Sequence, residues 1–197
     1  MQLEIKPHHY TPEEYLELEE NAEFRNEYRD GEIIPMTGGT TNHNKISGNL
    51  YAYLKFVLKA QDYEIYISDV RLWIPRYRQY TYPDVMVIAG EPVYTGTNTT
   101  TVMNPCLITE VLSKSTKNYD QGDKFTYYRS IPEFKEYILI DQYNYHVMQY
   151  VKTAEGQWLF TDIETQSATL SIQTLNIEVA LNDIYERVNF ADNNEES

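Results

Sequence analysis

Asp84, Glu110 and Lys124 are the residues whose types and surroundings point to chemistry. Asp84 stands in Tyr82-Pro83-Asp84-Val85-Met86-Val87-Ile88, at the start of an otherwise apolar strand. A carboxylate there is costly to desolvate unless it is paired or binds a cation. Glu110 poses the problem more sharply, in the middle of Leu107-Ile108-Thr109-Glu110-Val111-Leu112. Two carboxylates on neighbouring strands could converge on one Mg²⁺, which takes one or two carboxylates and keeps several waters. Either acid could instead cap a strand end or pair with Arg or Lys. Alternation puts Glu110 on one face with Ile108 and Leu112, so the position where a lysine would share the metal's face holds Leu112. Lys124 is the best alternative cation, early in the next helix with Asp120 and Tyr128 one turn to either side. Spacing alone is equally compatible with an exposed i,i+4 partner of Asp120.

The elements that must position these residues are legible in outline. Thr11, Pro12 and Glu14 form a capping-box start for a helix running to about Phe24. Asp30-Gly31 is a turn before a short strand over 32–36. Ile46, Leu50, Tyr53, Leu54 and Val57 fall on one face of a helix over about 42–60. Strands are expected at about 63–74 and 80–89, and a loop from Glu91 to Asn104. Residues 106–112 read as a strand buried on both faces. A third helix is expected from Asn118, with Gln121 as its capping partner, ending before Pro132. Strands follow at about 135–141, 144–151 and 157–163, with a hairpin turn at Glu155-Gly156, then a short helix near 182–188. The order favours an α/β sheet flanked by helices. One domain over 1–190 with an acidic disordered tail over 191–197 is the economical reading.

Composition bounds the function. The chain has 197 residues, with sixteen basic against thirty acidic side chains, a net charge of −14. Such a surface repels a polyanion at long range, although basic residues cluster at Arg71, Arg76 and Arg78 and at Lys114, Lys117, Lys124 and Arg129. No apolar run approaches the roughly 18 residues of a membrane span, and no secretory signal is visible at the N-terminus. The lone Cys106 reads as a buried inert thiol, and the cytoplasm is the expected compartment.

Several segments, in order, resemble the Uma-two family of restriction-endonuclease-like proteins within the PD-(D/E)XK superfamily. They are Glu27-Tyr28-Arg29-Asp30-Gly31-Glu32-Ile33, His43-Asn44-Lys45-Ile46, Tyr82-Pro83-Asp84-Val85, Glu110-Val111-Leu112-Ser113 with Ser115-Thr116, and Asp120 to Lys124 with Tyr128. The likeness covers about residues 10–185. It implies a restriction-endonuclease-like α/β fold: a central mixed sheet flanked by helices, with an N-terminal helix and a C-terminal β-hairpin extension. It also implies a metal site on Asp84 and Glu110. The superfamily's Glu-x-Lys is broken here by Leu112, and the resemblance implies that the lysine has moved to the position of Lys124. Glu27 and His43 match the family's pattern as well. Glu27 is either an additional acid near the metal or an N-terminal helix residue paired with Arg25 or Arg29. His43 could orient water or phosphate, or serve as a hydrogen-bonded core histidine.

The reading that follows is a Mg²⁺- or Mn²⁺-dependent endonuclease that hydrolyses phosphodiester bonds in nucleic acid, with DNA favoured. Leu112 and the acidic surface leave open a catalytically inactive nuclease-fold module that binds nucleic acid or protein. A glycosidase using Asp84 and Glu110 is a third option. No membrane partner is expected. A homodimer suits cutting of both strands, which needs two centres, but no segment marks an interface.

Overall fold

The computed structural model describes residues 8–191 apart from 37, 98 and 115. Ser115 of the motif above and, beyond Ala191, the acidic tail lie outside the described residues.

Helix α1 (Pro12–Glu20) opens with the expected box: Glu14 N–H donates to Thr11 Oγ1 at 3.2 Å and Thr11 N–H to Glu14 Oε2 at 2.7 Å. It stops at Asn21, short of Phe24, because Glu19 turns its carboxylate back to accept from the Asn26 backbone and side chain and reverses the chain. Residues 26–29 then form strand β1 (Asn26–Arg29), paired with β2 (Glu32–Pro35) through a turn in which Asp30 and Gly31 have φ of 40° and 106°. Glu27 therefore lies on a strand, which corrects the helical alternative for it.

Helix α2 (Thr41–Val57) is capped by Thr40 and buries Ile46, Leu50 and Leu54. The segment expected as one strand over 63–74 divides into β3 (Tyr63–Ile67) and β4 (Arg71–Ile74). The next divides into β5 (Gln79–Thr81) and β6 (Val85–Ala89). The reasons are local. Ser68 has φ of 54°, and Pro83 has no N–H for a ladder. The two breaks face each other, with Ser68 N–H donating to the Asp84 carbonyl at 3.1 Å.

These breaks pass the chain between two sheets. The loop from Glu91 contributes one short strand, β7 (Thr101–Val102), parallel to β4. A five-stranded sheet has the order β2-β1-β5-β4-β7. A six-stranded sheet is built from β3 and β6 with β8 (Leu107–Leu112), β9 (Glu136–Asp141), β10 (Val147–Lys152) and β11 (Trp158–Ile163), in the order β11-β10-β9-β8-β6-β3. Every residue of β8 is buried, as its apolar run demands; it pairs antiparallel with β6 and parallel with β9. Beyond the expected β10–β11 hairpin a second one, β12 (Thr169–Ile172) with β13 (Ile177–Ala180), leads into α5 (Leu181–Ile184).

Each face of the large sheet has its own apolar layer. On one, Ile46, Leu50 and Leu54 of α2 pack with Val85, Val87, Leu107 and Val111. On the other, Tyr128, Phe134 and Tyr137 pack with Met86, Ile108 and Leu112. The helix expected from Asn118 is segmented: α3 (Lys117–Tyr119), a π turn over Asp120–Lys124, and α4 (Phe125–Tyr128). Thr116 precedes it without a side-chain cap. Among the described residues no helix is long and apolar enough to cross a membrane. The architecture is the mixed α/β sheet flanked by helices that the sequence implied.

Candidate active site

Antiparallel pairing of β6 and β8 aligns Val85 with Thr109. The residue before β6 therefore meets the C-terminal half of β8, and Asp84 and Glu110 become neighbours. The Asp84 N–H points to Glu110 Oε2 at 3.4 Å, and Asp84 Oδ2 accepts from the Val111 N–H at 2.7 Å. At this end of the sheet the two apolar layers stop and a cavity of about 610 Å³ opens, lined by Glu27, His43, Asp84, Glu110, Asp120 and Lys124 among others.

Each layer sends one nitrogen-bearing side chain to the pair. From α2, His43 Nε2 lies 3.0 Å from Asp84 Oδ2. Its ring faces the sheet end because it sits one turn before Ile46 on the buried helical face. From the π turn, Lys124 Nζ lies 3.1 Å from Glu110 Oε1, 3.1 Å from Asp120 Oδ1 and 3.8 Å from Glu27 Oε1. Lys124 is only 7 % exposed, so the solvent-exposed alternative for it does not hold. The five-stranded sheet supplies Glu27, which accepts from Thr81 Oγ1 and, at 2.6 Å, from Arg29. Tyr128 donates to Glu110 Oε1 at 2.6 Å.

The charges set each other's protonation. Burial pushes Glu110 up to about 8, with Asp84 and Asp120 adding to the rise and Lys124 opposing it. Burial works against the Lys124 ammonium, but Glu110, Glu27 and Asp120 outweigh it and hold the lysine well above its ordinary value. Burial likewise opposes ionisation of Glu27, yet Lys124, Thr81 and Arg29 draw it below the usual carboxylate range. For His43, desolvation is overcome by the hydrogen bond to Asp84 and by the charges of Asp84, Glu110 and Asp120, so it is raised. The lysine is thus the permanent charge of the cluster, and Glu110 is the acid that carries a proton when no other cation is near.

Asp84, Glu110, Lys124, Glu27 and His43, the residues singled out in the sequence, all meet at this cleft. Three partners were not singled out as site residues. Asp120 and Tyr128 could have been, since with Lys124 they recur every fourth residue on one helical face. Thr81 carries no such signal, because only the pairing of β5 with β1 brings it to Glu27. The donors also suit a metal. Asp84 and Glu110 offer hard carboxylate oxygens, and Asp120 Oδ1 is buried without a hydrogen bond, although it lies within ion-pair distance of Lys124. Glu27, Asp84, Glu110 and Asp120 bring four carboxyl groups to the cleft, and a divalent cation of the Mg²⁺ or Mn²⁺ type would take the place of the proton on Glu110.

Residues 12–182 match the model of the Uma2 family, described as "Putative restriction endonuclease". The protein named "Uncharacterized protein sll1609" of Synechocystis sp. (strain ATCC 27184 / PCC 6803 / Kazusa) is 44% identical over 167 residues, covering 85% of this chain and 94% of the relative. "Uncharacterized protein slr1290" of the same strain is 36% identical over 180 residues, covering 91% of this chain and 93% of the relative. A crystal structure titled as a putative nuclease belonging to DUF820 from Anabaena variabilis ATCC 29413 superposes with a TM-score of 0.73 at 18% identity. That superposition covers 89% of this chain and 97% of the other, and it shows a shared fold.

Proposed function

The chain belongs to the Uma2 family, and from that premise we propose that the cleft hydrolyses phosphodiester bonds in nucleic acid, DNA foremost, with the aid of Mg²⁺ or Mn²⁺. The observation that carries this reading is the meeting of Asp84, Glu110 and Lys124 at one sheet end, even though Leu112 occupies the usual lysine position. Asp84 and Glu110 would hold the metal. When bound, such an ion supplies Lewis-acid stabilisation of phosphoryl charge and a more acidic water.

The protein's own groups divide the remaining work. Lys124 keeps its proton, so it acts as a cation that orients the attacking water and offsets developing negative charge rather than as a base. Asp120 and Glu27 hold the ammonium in place. Tyr128 fixes one oxygen of Glu110 and leaves the other turned towards Asp84. His43 fixes one oxygen of Asp84 and lines the cleft, where its ring can donate to a phosphate oxygen.

The test is cleavage of DNA and RNA by purified protein with Mg²⁺ or Mn²⁺, beside Asp84→Ala and Lys124→Met. Both variants should lose activity, by about 10²-fold or more for a preorganised electrostatic group. Equal cleavage by Asp84→Ala would overturn the assignment. The net charge of −14 favours a second reading, a nuclease fold that binds without cutting. An intact fold that neither binds metal in calorimetry nor cleaves would select it.

A further inference from the structure

We propose that His146, Asp162 and Glu164 form a second metal site, for Zn²⁺ or a similar borderline divalent ion, at the edge of the large sheet and independent of the cleft. One ligand atom from each of the three side chains lies within 4.8 Å of the other two. The register explains why they meet. Met148 faces Asp162 and Val147 faces Ile163, so the next step outward sets His146 opposite Glu164. Alternation puts Asp162 and Glu164 on the same face of the strand as that histidine.

The local charge would suit a cation. His146 Nε2 lies 2.6 Å from Asp162 Oδ1, and among the described residues no lysine or arginine pairs with either acid. Two adjacent carboxylates thus share one imidazole, which is neutral when it binds a metal. The histidine is also held in place. Its N–H donates to the Tyr185 hydroxyl at 3.2 Å, that hydroxyl lies 3.0 Å from its carbonyl oxygen, and its ring is only 17% exposed. A ligand fixed in this way loses little freedom on binding.

One imidazole nitrogen with two carboxylate oxygens, and solvent for a fourth position, is a donor set that Zn²⁺ accepts and Mg²⁺ does not favour. Tetrahedral Zn²⁺ places its donors roughly 3.3 Å apart, so closure needs only a small swing of the exposed acids. The ion would tie the β9–β10 turn to β11. That turn carries Gln142 and Tyr143 in the wall of the catalytic cleft, four and three residues before His146. Zinc at the edge would therefore stiffen a wall of the cleft without touching its floor.

The experiment is calorimetric titration of metal-stripped protein with Zn²⁺, with Co²⁺ absorption as a second readout, on a background of Asp84→Asn and Glu110→Gln that silences the cleft. One Zn²⁺ should bind, and His146→Ala should weaken it at least about tenfold, the lower end of what even an outer-shell partner is worth. Glu164→Gln, at an exposed position, should weaken binding while leaving the fold intact. Thermal unfolding should rise by about 5–10 °C at Zn²⁺ a hundredfold above its dissociation constant. Unchanged binding in either variant, with circular dichroism showing native fold, would reduce the trio to an ion pair at a hairpin end.

Discussion

Replacing Lys124 by methionine is the most informative perturbation of the cleft. Lys124→Met keeps the length of the apolar stem and deletes an ammonium 3.1 Å from both Glu110 and Asp120 and 3.8 Å from Glu27. Removing one partner of a buried charge pair typically costs about 3–5 kcal/mol. At about 2–4 °C per kcal/mol for a chain of this size, Tm should fall by about 6–20 °C. The deficit should depend on pH, with a sign that can be worked out. The raised lysine contributes its full stability below its unfolded pKa and loses it only as pH rises through the higher folded value, so the native protein retains it from pH 5 to 9. In the variant, Glu110 loses its counter-charge, and its pKa, already about 8, should climb further. A carboxyl with a raised folded pKa costs nothing below its unfolded pKa of about 4.3 and progressively more as pH rises towards the folded value. Urea unfolding in EDTA should therefore show a deficit already present at pH 5, unchanged to about pH 7 while Glu110 is protonated in both proteins, and larger near pH 9, where the native Glu110 has begun to ionise and the variant's has not. A deficit that is absent at pH 5, or that does not grow between pH 7 and pH 9, would show that Lys124 is not the counter-charge of this cluster.

Other perturbations read neighbouring parts of the structure. Glu110→Gln should gain stability relative to the native protein as pH rises from 5 to 9 in EDTA, because it removes the ionisation that burial makes costly; paired denaturation curves check this. Tyr128→Phe deletes a buried 2.6 Å bond to Glu110 and should cost about 0.5–1.5 kcal/mol by urea titration near pH 6, the net worth of a hydrogen bond to an uncharged group. Glu136 accepts from Gln149 and from the backbone N–H groups of Gln173 and Thr174, so Glu136→Ala should speed amide hydrogen exchange across β12–β13 while leaving β8 protected.

The sequence by itself determined the elements whose signals are local. The Thr11 box, the one-sided stripe of α2 and the apolar run of β8 each follow from neighbours within a few residues, and each element is present. It also marked Asp84 and Glu110, because an acid in an apolar strand requires compensation wherever the strand goes. Tertiary structure decided what a one-dimensional pattern cannot carry. The local pattern runs single strands through 63–74 and 80–89, but packing breaks them at Ser68 and Pro83 and makes these the corner where one sheet becomes two. That corner sets Asp84 against Glu110 and brings Glu27 of β1 to the same cleft, so a residue whose local setting was ambiguous acquires Lys124, Thr81 and Arg29 as partners. The same holds for Lys124. Spacing allowed an exposed partner of Asp120 or a buried centre. The π turn and the layer of Tyr128 and Tyr137 beneath it select the second, because an ammonium there is stable only where several carboxylates from distant segments converge on it.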